Sequence, residues 1–440
     1  MIAQPVRSKF VQIVDQLFKR RPDKKNTDAM PLVAKYFDNP QKAYKIVHVA
    51  GSNGKGSVCV KTASLLEKSG LKTGLFVSPH ISTVRERIQI NREKISQDDF
   101  IKYYQDVLDW EAELGLNLSF FQFVLAMCVV YFRDYECDYV VLECGIGGWH
   151  SQTNFWDSDY GVITSVGLEH CNVLGDTEEE ILKDKAGIIR DNIPFVIGPQ
   201  VDVDVLQPIV EQHNAKLIRI EPEEGKCFLD YNKSIAYAVY QEILENETKE
   251  INQLNEEDLE IALNRNPPWR LQLIENELIQ NLNPNLTYYP KRVYLDVAHN
   301  PPALENLLVA LDSVVNFEFT LYAIVCFSSN KDIISSLQIL SQKASQIRII
   351  LLPHTRLIKM EETVQILQKL KDEEGTHCIQ DLEFDGDLEQ NFKAILESID
   401  AQANENAVLT VCGSVFIMES VRDVLGIEQQ KDFDKLNFQS

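Results

Sequence analysis

No apolar run in this 440-residue sequence approaches the ~18 residues that a membrane-spanning helix needs. The opening residues, Met-Ile-Ala-Gln-Pro-Val-Arg-Ser, hold no apolar stretch of the kind a secretory leader carries. Cys-x-x-Cys pairs are missing too: Cys59, Cys128, Cys137, Cys144, Cys171, Cys227, Cys326, Cys378 and Cys412 all stand singly. Several lie in apolar, strand-like runs, which favours reduced, buried thiols over disulfides or zinc and predicts a cytoplasmic chain. The sequence also has no internal repeat, no low-complexity segment and no charge block long enough to be more than solvated surface. Positive charge is scarce, with 43 Lys and Arg against 66 Asp and Glu and a net charge of −23. That balance argues against a sequence-independent hold on nucleic acid or an anionic membrane, both of which want basic patches. It opposes anionic substrates at long range as well, so a phosphate site must be built from local Lys, Arg and backbone dipoles.

What remains is a chain of ordinary globular composition, long enough to predict two or three domains. It turns on one stretch, Lys45-Ile-Val-His-Val-Ala-Gly-Ser-Asn-Gly-Lys-Gly-Ser57. Ile46 to Val49 is a β-branched, apolar run suited to a buried strand. Gly51, Gly54 and Gly56 then permit close backbone approach to a ligand. From Ser57 the positions Val58, Thr62, Leu65 and Leu66 recur at helical spacing, and Gly70 stands where a C′ glycine ends a helix. Strand, glycine loop and helix N-terminus make a cradle of N–H groups for phosphate, which would involve Gly51, Ser52, Asn53, Gly54 and Gly56. Lys55 would reach the terminal phosphates, and the Ser57 hydroxyl would stand where a Mg²⁺ ligand is needed. The spacing is not the strict P-loop pattern, and a Gly-rich βα turn with an exposed lysine fits the same residues.

Along the chain, residues 1–30 contain an amphipathic helix (Phe10, Val14, Leu17, Phe18) followed by a basic polar break, Lys19 to Asn26. Asp28 to Pro40 leads into the loop. Further strands are expected at Thr73–Val77, Tyr139–Leu142, Gly161–Val166, Pro194–Ile197 and Lys216–Ile220. Ser119 to Phe132, apolar all round except for Gln122, reads as a buried helix. Another helix starts at Thr177, with Glu178, Glu179 and Glu180 in its first turn, and a third covers Asn232 to Leu244. Glu143, at the carboxyl end of its strand, could hold Mg²⁺ through carboxylate oxygens or be a capped surface carboxylate. The Asn-, Pro- and Tyr-rich interval Asn281–Tyr289 marks the expected domain boundary, which gives domains of 1–285 and 286–440. The second opens with Val293–Leu295 and Asp296-Val-Ala-His-Asn-Pro301, where Asp296 could meet ribose hydroxyls and His299 a γ-phosphate. Strands at Phe319–Val325, Arg348–Leu352 and Val408–Val411 follow. Between them lie Asn330-Lys331-Asp332 and Pro353-His354, and Gly413-Ser414 comes after the last. The alternation of strand and helix predicts an α/β fold with mostly parallel sheets.

Gly-Ser-Asn-Gly-Lys-Gly-Ser resembles the phosphate loop of the Mur-type ligases, and within them the folylpolyglutamate synthase and dihydrofolate synthase branch. About eight short motifs in family order extend the resemblance over roughly residues 28 to 425. They include Ser78-Pro79-His80 with Arg85, Glu86 and Arg87; Gly167-Leu-Glu-His170; Lys185-Ala-Gly-Ile188; Pro267-Pro-Trp-Arg-Leu-Gln272; and the Asp296–Pro301 motif. The resemblance implies a P-loop-type ATPase domain, a smaller Rossmann-like C-terminal domain, and a cleft between them. It implies ATP and two Mg²⁺ ions, with Ser57, Ser78, Glu143, His170 and a CO₂-carbamylated Lys185 as metal ligands. Asn232 and Arg270 would contact the nucleotide, though Asn232 also suits a helix cap. Phe121 and Gln122 fall where the family has a Phe-Glu pair beside its pterin pocket. Ser151 and Gln152 fall in a segment that binds pteroate, where Trp149, His150, Ser151 and Gln152 depart from the usual Arg-Leu-Asp-Ala. Asp184 replaces a glutamate, and Trp269 a glycine.

The implied chemistry is activation of a folate or dihydropteroate carboxylate as an acyl phosphate, which the amine of L-glutamate then displaces. Lys55, Arg270 and His299 would offset phosphoryl charge. Small molecules are the expected partners, with no nucleic acid or membrane, and a monomer is expected. A Mur-type ligase acting on another carboxylate, or a non-catalytic nucleotide-binding relative, are the other readings.

Overall fold

The computed structural model describes residues 8–21, 29–247, 251–329, 331–352, 354–371 and 387–427. Most of the Lys19–Asn26 break, together with Asp28, Asn330, Pro353 and Cys378, lies outside them. The chain divides into two compact units, one ending at Pro267 and one beginning at Pro268. This division precedes the expected 285/286 boundary because Gln272–Ile274 adds an antiparallel edge strand to the second unit's sheet.

The first unit is built on eight strands: β1 (Lys45–Ala50), β2 (Thr73–Phe76), β3 (Ile88–Ile90), β4 (Glu93–Lys94), β5 (Tyr139–Glu143), β6 (Tyr160–Ile163), β7 (Pro194–Ile197) and β8 (Lys216–Arg219). Their order is β4-β3-β2-β5-β1-β6-β7-β8. All neighbours are parallel except β2–β3 and β3–β4. β1 is buried on both faces, as a central parallel strand must be when helices cover both sides. Its alternation separates two cores. Val47 and Val49 pack with Val58, Leu65 and Leu66 of the Lys55–Lys68 helix and with Ile235 and Val239 of the Phe228–Asn246 helix. Ile46 turns to the other face, against the Phe120–Asp134 helix, whose Phe123 to Phe132 are all buried.

The second unit carries β9 (Gln272–Ile274), β10 (Arg292–Leu295), β11 (Thr320–Val325), β12 (Ala344–Ile349) and β13 (Ala407–Cys412) in the order β12-β11-β13-β10-β9. Only the β9–β10 pair is antiparallel.

Two local expectations differ from the structure, and three short strands lie outside those expected. β12 starts at Ala344, not Arg348, because β11 pairs from Leu321 opposite Ala344 and buries the polar Gln346. Asn232 is not a cap, since its helix begins at Phe228 with Cys227 at the N-cap. The short strands β3, β4 and β9 carry too few residues to show an alternation. Among the described residues no helix is long and apolar enough to cross a membrane, and eight cysteines are free thiols, only Cys171 being exposed.

Candidate functional site

Because β5 and β6 flank β1, and β2 flanks β5, the carboxyl ends of these four strands lie side by side. The glycine loop leaves β1 there. Gly51 takes φ +149° with its backbone against the Thr164 hydroxyl, where a Cβ would collide. Gly54 takes φ +88° as N-cap of the Lys55–Lys68 helix, and a Cβ there would sit 2.6 Å from Asn232 Oδ1. Both positions therefore require glycine.

The loop is fastened to the segment after β6. Thr164 Oγ1 donates to Asn53 O at 2.6 Å, and Asn53 N donates to Ser165 Oγ at 3.0 Å. Ser52 Oγ donates to Gly167 O and accepts from Gly167 N, each at 3.0 Å. The Ser52 hydroxyl is thus engaged within the protein, as are the N–H groups of Ser52 and Asn53. Lys55 Nζ lies over the loop, donating to Gly51 O at 2.6 Å and Ser52 O at 3.1 Å.

Two side chains single this loop out as a binding site. Asn232 is 5% exposed, abuts Gly54, and its buried Nδ2 has no hydrogen-bond partner in the structure. A buried amide left unpaired costs about 1–3 kcal/mol, so its persistence beside the glycine loop points to a ligand acceptor. Glu143 ends β5 opposite Val49 and is 4% exposed. Its Oε2 accepts from Ser78 N at 2.8 Å, and both oxygens lie 3.6 Å from where a Cβ on Gly56 would stand. A buried carboxylate beside the first turn of the phosphate-loop helix, next to Ser57, is a hard-oxygen environment of the kind Mg²⁺ takes. Among the described residues no three His, Cys, Asp or Glu side chains group as a metal site. The expected ligand set contains only two of those types, Glu143 and His170, so it does not depend on such a group.

Lys185 ends the Glu178–Lys185 helix with its side chain fully buried, and its Nζ meets Glu169 Oε1 at 2.9 Å. Burial lowers the Lys185 pKa, against the opposing pull of Glu169. Burial alone would raise Glu169, but Lys55 and Lys185 hold its carboxyl below the usual value. Glu169 is the residue that sequence reasoning left without a role. Its position one residue before His170, in the segment after β6, was the available signal. His170 itself adopts φ +48° at the start of a single helical turn, Cys171–Leu174.

The departing segment after β5 is also ordered from within. Asp184 accepts from Gly148 N at 2.8 Å and pairs with His150, and Trp149 N donates to Asp184 O at 2.7 Å. The Trp149 indole is left 69% exposed. Gln122 Nε2 donates to Gln152 Oε1 at 2.9 Å, which brings these two expected substrate residues together, and the Phe121 ring lies against Gly145. Ser151 is buried, and its hydroxyl caps its own turn, accepts from Gly145 N at 3.3 Å and shares a 2.7 Å bond with Thr153.

Beneath this segment, His48 of β1 is fully buried between Thr153 Oγ1 at 2.9 Å and Cys144 Sγ at 3.1 Å. Burial lowers its pKa from 6.5 to about 3. The unfolded chain therefore binds a proton below pH 6.5 that the fold refuses until about 3, and His48's stability contribution is complete above 6.5 and lost as pH falls. Denaturant melts should show about 2 kcal/mol lost through this group between pH 7 and 5. The His48→Gln variant should lack that increment; an unchanged pH slope would count against the buried neutral imidazole.

In the second unit, Asp296 follows β10 and is 5% exposed. Its Oδ2 accepts from Leu271 N and its Oδ1 from Ala298 N, both at 2.7 Å. Burial raises its pKa, and nearby Arg270 opposes the rise. Asp296 thus clasps the 269–272 turn that bears Arg270. Within that turn Trp269 takes φ +63° with its indole fully buried, a left-handed conformation that glycine adopts more readily. His299 Nδ1 lies 2.9 Å from Val297 O and donates to it.

The chain is similar in sequence and in fold to known proteins. The Mur ligase middle domain matches residues 49–264. A folylpolyglutamate synthase of Arabidopsis thaliana is 35% identical over 47% of this chain, a stretch spanning 35% of the plant protein. A dihydrofolate synthase/folylpolyglutamate synthase of Bacillus subtilis is 31% identical over 61% of this chain and 68% of its own length. In fold, the chain is similar to E. coli FolC in complex with DHPP and ADP. The TM-score is 0.76 and the identity 22%, covering 95% of this chain and 98% of that one.

Proposed function

Because the chain belongs to the dihydrofolate synthase/folylpolyglutamate synthase family of ATP-dependent Mur-type ligases, we propose that it joins L-glutamate to a folate carboxylate through an acyl phosphate. The observation that carries the reading is the glycine loop, with the unpartnered Asn232 amide on one side and the buried Glu143 carboxylate on the other. Such a cradle suits a nucleotide triphosphate with its divalent cation.

The substrate carboxylate attacks the γ-phosphorus of ATP and ADP departs. The glutamate amine then adds to the acyl carbon, and phosphate leaves as the amide forms. Backbone N–H groups of Gly54 to Ser57 bind the phosphates, and Lys55, held over the loop by Gly51 O and Ser52 O, meets the transferring group. The family resemblance gives Arg270 and His299 the role of offsetting phosphoryl charge, and Asp296 holds the turn that carries Arg270. Mg²⁺ supplies charge neutralisation on the phosphates, and Ser57, Ser78, Glu143 and His170 are the residues that would hold it. Lys185 joins them as a carbamate: burial favours the neutral amine that CO₂ requires, and the product with Glu169 is a pair of oxygen anions of the type divalent cations take. Phe121, Gln122 and Gln152 contact the acceptor, with Ser151 supporting their turn.

Phosphate-coupled ADP release with Mg²⁺ and L-glutamate tests the reading. Release is expected with dihydropteroate, tetrahydrofolate or both, and the pattern defines the acceptor. Silence with every folate-type acceptor, in a protein that binds ATP, would overturn the substrate assignment.

A further inference from the structure

Lys61 lies in the middle of the phosphate-loop helix and is 1% exposed, yet its partners carry no charge. Its Nζ donates to Leu263 O at 2.6 Å, Arg265 O at 2.8 Å and Asn266 Oδ1 at 2.9 Å. All three ammonium protons are spent on one stretch of four residues. Burial, with Lys233 nearby, lowers the pKa to about 7, so the three oxygens are what keep the cation in place. Leu263 belongs to the last turn of the Glu256–Asn264 helix, whose orphan carbonyls are a natural acceptor for a cation.

A structural cap would explain two of these bonds. It does not explain the reach past the helix end to Arg265 and Asn266. Those residues lead to Pro267, whose ring lies 3.8 Å from where a Cβ on Gly56 would stand. The segment therefore runs along the phosphate-loop helix from Lys61 back to its first turn, and ends the first unit there. Arg270 follows three residues later.

We propose that Lys61 is a positioning residue for the ligase reaction, fastening the 263–267 segment to the phosphate-loop helix and so setting the point from which the chain bearing Arg270 departs. This rests on the phosphate role proposed for Arg270. A misplacement of about 1 Å at a charge-stabilising group costs up to ~10²-fold in rate, so a pin remote from the chemistry can act on kcat.

The test is steady-state ADP release by the intact chain for Lys61→Met, Arg270→Ala and the double variant, with thermal melts alongside. Lys61→Met is expected to lower kcat about 10- to 100-fold while changing KM for ATP less than threefold. In the Arg270→Ala background the same change should cost less than twofold, the coupling expected of residues acting through one group. Asn266→Ala, at an exposed position, removes a single acceptor and serves if Lys61→Met does not fold. It should lower kcat two- to fivefold, again only when Arg270 is present. A lowered melting temperature with kcat unchanged would make Lys61 a structural pin and overturn the proposal. So would an undiminished loss in the Arg270→Ala background. An Arg270→Ala enzyme with full kcat would instead remove the Arg270 role itself, whatever Lys61 does.

Discussion

Lys55→Ala should lower kcat for ADP release by about 10²–10³-fold, the range for deleting one preorganised charge at a developing anion. The side chain sits where the loop backbone turns into the helix, held by Gly51 O and Ser52 O at 2.6 and 3.1 Å. Those carbonyls keep the ammonium over the cradle before a phosphate arrives, so little reorganisation is needed when one does. The loop itself does not depend on this contact. Thr164, Ser165 and Gly167 fasten Ser52 and Asn53 through separate bonds, and Gly54 caps the helix through its backbone. The variant should therefore fold with a near-normal melting temperature and still bind ADP, more weakly. Calorimetric titration with ADP and single-turnover phosphate release separate the two effects. Full turnover in Lys55→Ala would remove the loop from the chemistry.

Lys185→Arg should be comparably damaging, for a different reason. Arginine keeps the positive charge and can pair with Glu169, so the buried carboxylate, 10% exposed in its side chain, is not stranded. Stranding it, as Lys185→Ala would, costs about 3–5 kcal/mol and confuses loss of fold with loss of function. A guanidinium stays protonated at any ordinary pH and cannot take up CO₂. If the carbamate is the working form, Lys185→Arg loses about 10²-fold or more in kcat at unchanged melting temperature. Wild-type activity should also fall in CO₂-depleted buffer and return with bicarbonate. Near-normal activity in Lys185→Arg, indifferent to bicarbonate, would leave Lys185 as an ordinary buried ion-pair partner of Glu169.

Much of this protein was legible without coordinates. A β-branched run, three glycines and a helical repeat specify strand, loop and helix because each rests on local sterics: Gly51 and Gly54 hold positive φ, and Gly70 ends the helix at φ +87°. The central parallel strands were legible for the same reason, since burial on both faces demands continuous apolar runs. The order of motifs also identified the family. Local pattern fails where pairing partners decide. β12 takes in Gln346 because β11 lies beside it, and β9 is a strand only because β10 offers an edge. Asn232 looked like a cap because asparagine often is one, yet its helix starts four residues earlier and leaves its amide unpaired beside Gly54.

The sequence by itself thus determined the class of fold and the strand, glycine loop and helix, which follow from residue types at fixed spacing, and its motifs carried the resemblance to the family. Only the tertiary structure decided which charges are compensated. It brought Glu169 to Lys185, turned the Ser151 hydroxyl inward, and spent the Lys61 ammonium on residues more than two hundred positions away. Those outcomes depend on burial and on through-space distance, and neither is carried by spacing along the chain.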